Sequence, residues 1–143
     1  CALLALATAF SRILTMLNAP QVLASFLSGI ISSRISFLIL LNIVLLILGM
    51  FIDGAPAILI LSPLLMPIAQ QFGIDPVHLG IIMVCNLAVG LASPPFGLNL
   101  FVASSTNGAP IMEISRKVVP FILAFLVALI LITFVPSISL CLV

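Results

Sequence analysis

The stretch Gly90-Leu91-Ala92-Ser93-Pro94-Pro95-Phe96-Gly97-Leu98-Asn99-Leu100-Phe101 lies inside an apolar run, yet it cannot be continuous α-helix. Proline has no N–H, so in a helix the carbonyl four residues before it loses its donor. Pro94 leaves Gly90 in that state, and Pro95 leaves Leu91. Apolar residues run from Pro76 to Leu91 before the interruption and resume over Leu98–Ala103 after it. As one straight helix this segment would measure about 45 Å at 1.5 Å per residue, against a bilayer core of about 30 Å. It is too short for two crossings. The spacing predicts one membrane crossing by a helix broken in its middle, with the broken unit spanning residues 73–108.

Composition explains why a bilayer is the relevant solvent. Of 143 residues, 64% are hydrophobic and 5% are charged, whereas a soluble domain carries about 25% charged residues. Such a chain cannot cover its surface in water, and it reads as an all-α membrane protein. Its charges are Arg12, Arg34, Asp53, Asp75, Glu113, Arg116 and Lys117, so no basic stripe exists to bind nucleic acid. Cys1, Cys85 and Cys141 are scattered through apolar stretches without CxxC or Cys/His spacing, which predicts small buried residues. The first residue, Cys1, falls inside an apolar run with no charged region ahead of it. That pattern predicts a C-terminal piece of a longer protein and no signal peptide.

Residues 1–17 read as the end of a membrane helix, closed by Asn18-Ala19-Pro20. The next segment, 20–31, is too short to cross a bilayer and reads as an interfacial arm, completing a unit over 1–34. Apolar segments 35–51 and 55–72 flank Ile52-Asp53-Gly54. They form either two spanning helices or a re-entrant hairpin, and composition does not choose. Pro56, Pro63 and Pro67 keep the second segment from being fully bonded. Gly73-Ile74-Asp75-Pro76 combines a helix end, a cap and a first-turn proline. Ser104 to Pro110 is a polar turn, and the last unit, 109–143, supplies a span over Val118–Val143. Arg116 and Lys117 assign the start of that span to the cytoplasm. The C-terminus, Asp75 and His78 then lie outside, as does Arg34, against the same tendency.

Non-helical backbone at membrane depth is tolerated only where protein buries it or a polar cavity receives it. Two breaks qualify, Gly49–Pro56 and Gly90–Gly97. The carbonyls of Ile52, Gly90 and Leu91, opposite Pro56, Pro94 and Pro95, are neutral hard oxygens of the kind Na⁺ accepts. The restarted half-helix near Gly97-Leu98-Asn99 offers unpaired N–H groups and a positive dipole end suited to a carboxylate. Paired broken segments that supply both are a transporter device. Asp53 is a functional candidate if the hairpin stops within the membrane, and a solvated turn residue if the loop reaches water. Pro120 and Pro136 read as ordinary kinks, Asp75 as a cap and His78 as interfacial. Asn42, Asn86 and Ser62 read as helix–helix hydrogen-bonding residues. An intramembrane hydrolase needs a nucleophile with its base, paired aspartates or HExxH. No such set occurs here, and the chain does not read as an enzyme.

Several runs carry a resemblance. Gly49-Met50-Phe51-Ile52-Asp53 with Ser62-Pro63-Leu64-Leu65-Met66-Pro67-Ile68, then Gly73-Ile74-Asp75-Pro76-Val77-His78-Leu79-Gly80, then Gly90 to Phe101, stand in the order found in one family. They resemble the large membrane subunit, the DctM-like permease, of tripartite ATP-independent periplasmic (TRAP) transporters. The likeness covers about 38–143, and Pro-Pro-x-Gly-x-Asn-Leu is its most specific part. Residues 1–34 match in apolar character only.

That resemblance implies a multi-pass protein of the bacterial inner membrane and a Na⁺-driven symporter with an elevator-type transport domain. It implies a periplasmic binding protein that delivers a carboxylate, such as a C4-dicarboxylate or sialic acid, and a small membrane subunit as partner. The chain looks like the second of two inverted repeats in a fold like the ion transporter superfamily: re-entrant hairpin 35–72, broken helix, final helix. The implied Na⁺ site uses mainly backbone oxygens of Gly49, Ile52, Asp53 and Gly54 at the tip and of Gly90, Leu91, Ser93 and Pro94 at the break. Ser93, Gly97, Leu98 and Asn99 are the implied substrate contacts. The family varies at Asp53-Gly54-Ala55-Pro56, and Ser104-Ser105-Thr106-Asn107 is more polar than its pattern. Two alternatives remain open: the same fold driven by H⁺ on Asp53, and a helical subunit or non-catalytic end of another membrane protein.

Overall fold

The computed structural model describes residues 2–22, 25 and 33–137. Its helices are α1 (Ala2–Met16), α2 (Arg34–Phe51), α3 (Gly54–Gln71), α4 (Pro76–Ala92), α5 (Leu98–Asn107) and α6 (Ile111–Phe134). Most of the arm expected over 20–31 falls outside the described residues. Local chemistry accounts for the helix starts. The Ile35 N–H donates to the Ser33 hydroxyl (3.3 Å) at the head of α2. The Val77 N–H donates to Asp75 Oδ1 (2.8 Å), with Pro76 in the first turn of α4, as its sequence predicts. The last helix starts at Ile111, within the final unit read over 109–143, and is one 24-residue helix running through Pro120. Lys117 donates to Glu113 one turn earlier (2.8 Å), so the basic segment and the apolar span after Val118 are continuous.

Helices α2, α3 and α6 are long and apolar enough to cross a membrane. Their outward faces remain apolar: Phe121 is 68% exposed and Phe125 61%. Faces of this kind are stable against hydrocarbon or other apolar helices, and the chain is an integral membrane protein.

The core joins Phe37, Leu38, Leu41 and Leu45 of α2 to Leu79, Ile82 and Met83 of α4, with Ile68 and Ala69 of α3. Helices α2 and α4 run side by side in the same direction, because Asn42 lies beside Asn86 and Gly49 beside Gly90. The hairpin α2–α3 is antiparallel, and its open end is pinned by the stacked rings of Phe37 and Phe72, 4.9 Å between centroids. Beyond that stack the arms separate, α3 resting mainly on α1 and α4. Helix α6 returns antiparallel to α4, with Thr133 beside His78 and Ile122 beside Ser93 and Pro94.

Candidate functional site

Four helix ends meet where the hairpin turns. Helices α2 and α4 run into this junction and stop at Phe51 and Ala92, while α3 and α5 leave it from Gly54 and Leu98. Glycine sets the closeness. A Cβ on Gly90 would lie 2.7 Å from the Gly49 backbone and 2.9 Å from the Leu46 oxygen. Only residues without side chains let α2 and α4 cross backbone to backbone here. Phe51 then packs on Phe96, ring centroids 5.0 Å apart, joining the hairpin tip to the broken helix. The two interruptions that are 40 residues apart in sequence are one place in the fold.

A helix C-terminus leaves carbonyls without donors, and an N-terminus leaves N–H groups without acceptors. The junction gathers both kinds. At the end of α2 the Ile52 N–H returns to the Leu48 oxygen (2.9 Å). Among the described residues no backbone N–H reaches the oxygens of Gly49, Met50, Phe51 or Ile52. The reason at Ile52 differs from the expected one. Ile52 is extended between two helices, and Pro56 sits in the first turn of α3, so the oxygen is unpaired because α2 has ended.

The end of α4 brings a second correction. The Gly90 oxygen is not left free by Pro94, because it accepts the Ser93 N–H at 2.9 Å. The Ser93 hydroxyl donates to Val89 (2.8 Å), and the Ser93 oxygen accepts the Gly97 N–H (2.9 Å). Ser93 therefore closes the break on itself, and its backbone oxygen is engaged there. Leu91, opposite Pro95, finds no replacement donor among the described residues. Its oxygen faces Gly97, where an added Cβ would sit 2.6 Å away.

Free donors belong to the same junction. Neither α3 nor α5 has a side-chain cap, and among the described residues the N–H groups of Gly54, Ala55, Leu98 and Asn99 make no backbone bond. Asp53 is exposed in the cap position of α3 and makes no cap hydrogen bond. Gly97 is buried, while Leu98 and Asn99 are exposed. Sequence reasoning finds the N-terminus of α5 and misses that of α3; Pro56, placed in a first turn, is the signal for it. Among the described residues no three His, Cys, Asp or Glu side chains group as metal ligands. Met50, Ser93 and Pro94 share a cleft of about 300 Å³ with Val119, Ile122 and Leu123. The cleft's α6 lining, Val119 to Leu126, thus lies about 12 to 23 Å along α6 from Ile111, at 1.5 Å per residue.

A separate polar cluster lies nearer the open end of the hairpin. Asn86 Nδ2 donates to Asn42 Oδ1 (2.8 Å), so two of the three residues read as helix–helix hydrogen-bonding bond to each other. The Thr133 hydroxyl donates to the same oxygen (3.2 Å). Ser62 makes no side-chain hydrogen bond among the described residues. His78 is not interfacial: it is fully buried, with Nε2 3.2 Å from the Thr133 oxygen. That oxygen belongs to the last turn of α6, where the helix supplies no donor, and the imidazole takes its place.

Comparison with known proteins follows the same geometry. Residues 1–138 match the family model described as tripartite ATP-independent periplasmic transporter, DctM component. The chain is 46% identical over 140 residues to the C4-dicarboxylate TRAP transporter large permease protein DctM of Pseudomonas aeruginosa, covering 98% of this chain and 33% of that protein. It is 44% identical over 136 residues to the isethionate TRAP transporter permease protein DctMQ of Oleidesulfovibrio alaskensis, covering 95% of this chain and 21% of that one. Against the sialic acid TRAP transporter large permease protein SiaM of Vibrio cholerae it is 36% identical over 133 residues, with 93% and 31% covered. The chain therefore spans a third or less of these relatives.

Proposed function

This chain belongs to the DctM component family of tripartite ATP-independent periplasmic transporters, and from that membership we propose that it forms part of a Na⁺-coupled permease importing an organic acid. The meeting of four half-helix ends at Gly49–Ala55 and Gly90–Asn99 carries the reading. Two chain ends bring unpaired carbonyl oxygens, which suit a co-transported monovalent cation. Two bring unpaired N–H groups with the positive ends of helix dipoles, which suit a carboxylate. Within the expected set, Gly49, Ile52 and Leu91 are the favoured ion ligands, joined by Pro94. The Asp53, Gly90 and Ser93 oxygens are second choices because each already accepts a backbone N–H, and Gly54 lies inside the first turn of α3. The N–H groups of Leu98 and Asn99 hold the substrate carboxylate; that of Gly97 is already given to the Ser93 oxygen.

The hairpin is re-entrant in this reading, since Met50, close to its turn, shares a cleft with Val119 to Leu126 in the middle of α6. The surrounding protein works as an elevator in the inner membrane, with a small membrane subunit and a periplasmic binding protein that delivers the acid. The substrate is a carboxylate of the C4-dicarboxylate or sialic acid kind. Uptake by the complete permease in proteoliposomes, with its binding protein and small subunit, tests the coupling. An inward Na⁺ gradient should drive accumulation and an H⁺ gradient should not. Uptake driven by H⁺ and lost in Asp53→Asn would replace Na⁺ by proton coupling on the unpaired Asp53.

A further inference from the structure

Resting on that transport reading, we propose that the two hairpin arms have different tasks. Helix α2 is the fixed support of the junction, held by Asn42, Asn86 and Thr133 as positioning residues. Helix α3 is the leaf that moves when ion and carboxylate enter or leave.

The attachments of the two arms differ in kind. Helix α2 is held at one level by the Gly49–Gly90 crossing, where backbones already touch. At a second level Asn42 accepts from Asn86 on α4 and from Thr133 on α6. The amide orientations there follow from chemistry. Asn42 Nδ2 donates to the Leu38 oxygen (2.7 Å) and Asn86 Nδ2 to the Ile82 oxygen (2.8 Å), and carbonyls only accept. Asn42 Oδ1 is therefore the single acceptor for two donors from two helices. Moving α2 strips both of them in an apolar interior, where an unpaired donor is costly.

Helix α3 has no such attachment. Among the described residues no side-chain hydrogen bond ties it to another helix. Pro63 and Pro67 lie inside it, so the Leu59 and Pro63 carbonyls lack their helical donors. It rests on α1 and α4, and the extended residues Ile52 and Asp53 join it to α2. Displacing α3 breaks no polar bond between helices. It does carry away the free N–H groups of Gly54 and Ala55, opening the junction without disturbing the α2–α4 crossing.

The test is hydrogen exchange on the complete, unaltered permease. Added Na⁺ should slow exchange across α3 and leave α2 unchanged; equal slowing of both arms, or slowing confined to α2, overturns it. Absence of Na⁺-driven uptake by the unaltered permease instead removes the transport reading, which the exchange pattern does not measure.

Discussion

Single residues decide how closely the junction closes. Gly90→Ala places a methyl group 2.7 Å from the Gly49 backbone, and no rotamer relieves a clash between two main chains. The expected cost is about 1–3 kcal/mol, the range for overpacking, read as a lower melting temperature of the complete permease in detergent. The Asn42–Asn86 bond makes a separate prediction, because membrane side-chain pairs contribute less than burial alone suggests. A double-mutant cycle with Asn42→Ala and Asn86→Ala should give a coupling of about 0.6 kcal/mol, up to about 1.7. Asn42 and Asn86 were legible as helix-bonding residues from their type and apolar surroundings. His78 was not, because a lone histidine one turn after a cap looks the same whether it faces headgroups or the end of α6.

At the scale of elements, the two prolines of the break have unequal consequences. Pro94 removes a donor from Gly90, but Ser93 supplies another; Pro95 removes one from Leu91, and nothing among the described residues replaces it. Pro95→Ala supplies a donor that pairs the Leu91 oxygen once the extended Ser93 is drawn into the helix, and should weaken Na⁺ binding about tenfold, or about 1.4 kcal/mol. Pro94→Ala should leave the affinity nearly unchanged. Isothermal titration of Na⁺ into the purified permease separates them, and equal effects would remove Leu91 from the ligand set. The existence of both breaks followed from the absent proline N–H. Which carbonyl stayed free did not, since rescue by Ser93 depends on how the chain turns after Ala92.

At the scale of the whole molecule, α2, α3 and α6 have the length and apolarity of membrane spans, whereas the relatives are at least three times as long as the chain. Residues 1–143 expressed alone should resist alkaline extraction from membranes, yet support no carboxylate uptake in proteoliposomes. Uptake by residues 1–143 alone would show that the junction suffices by itself. The membrane as solvent, the number and positions of the breaks, and the family were all readable in the sequence. Each depends on composition or on a local rule: apolar length, the missing proline N–H, the order of short motifs. Only the tertiary structure decided that Gly49 meets Gly90, that α3 and α5 start at one point, and that α2 is bonded where α3 is not. These are contacts between segments some 40 to 90 residues apart, and they arise from which faces pack, a choice that no local rule contains.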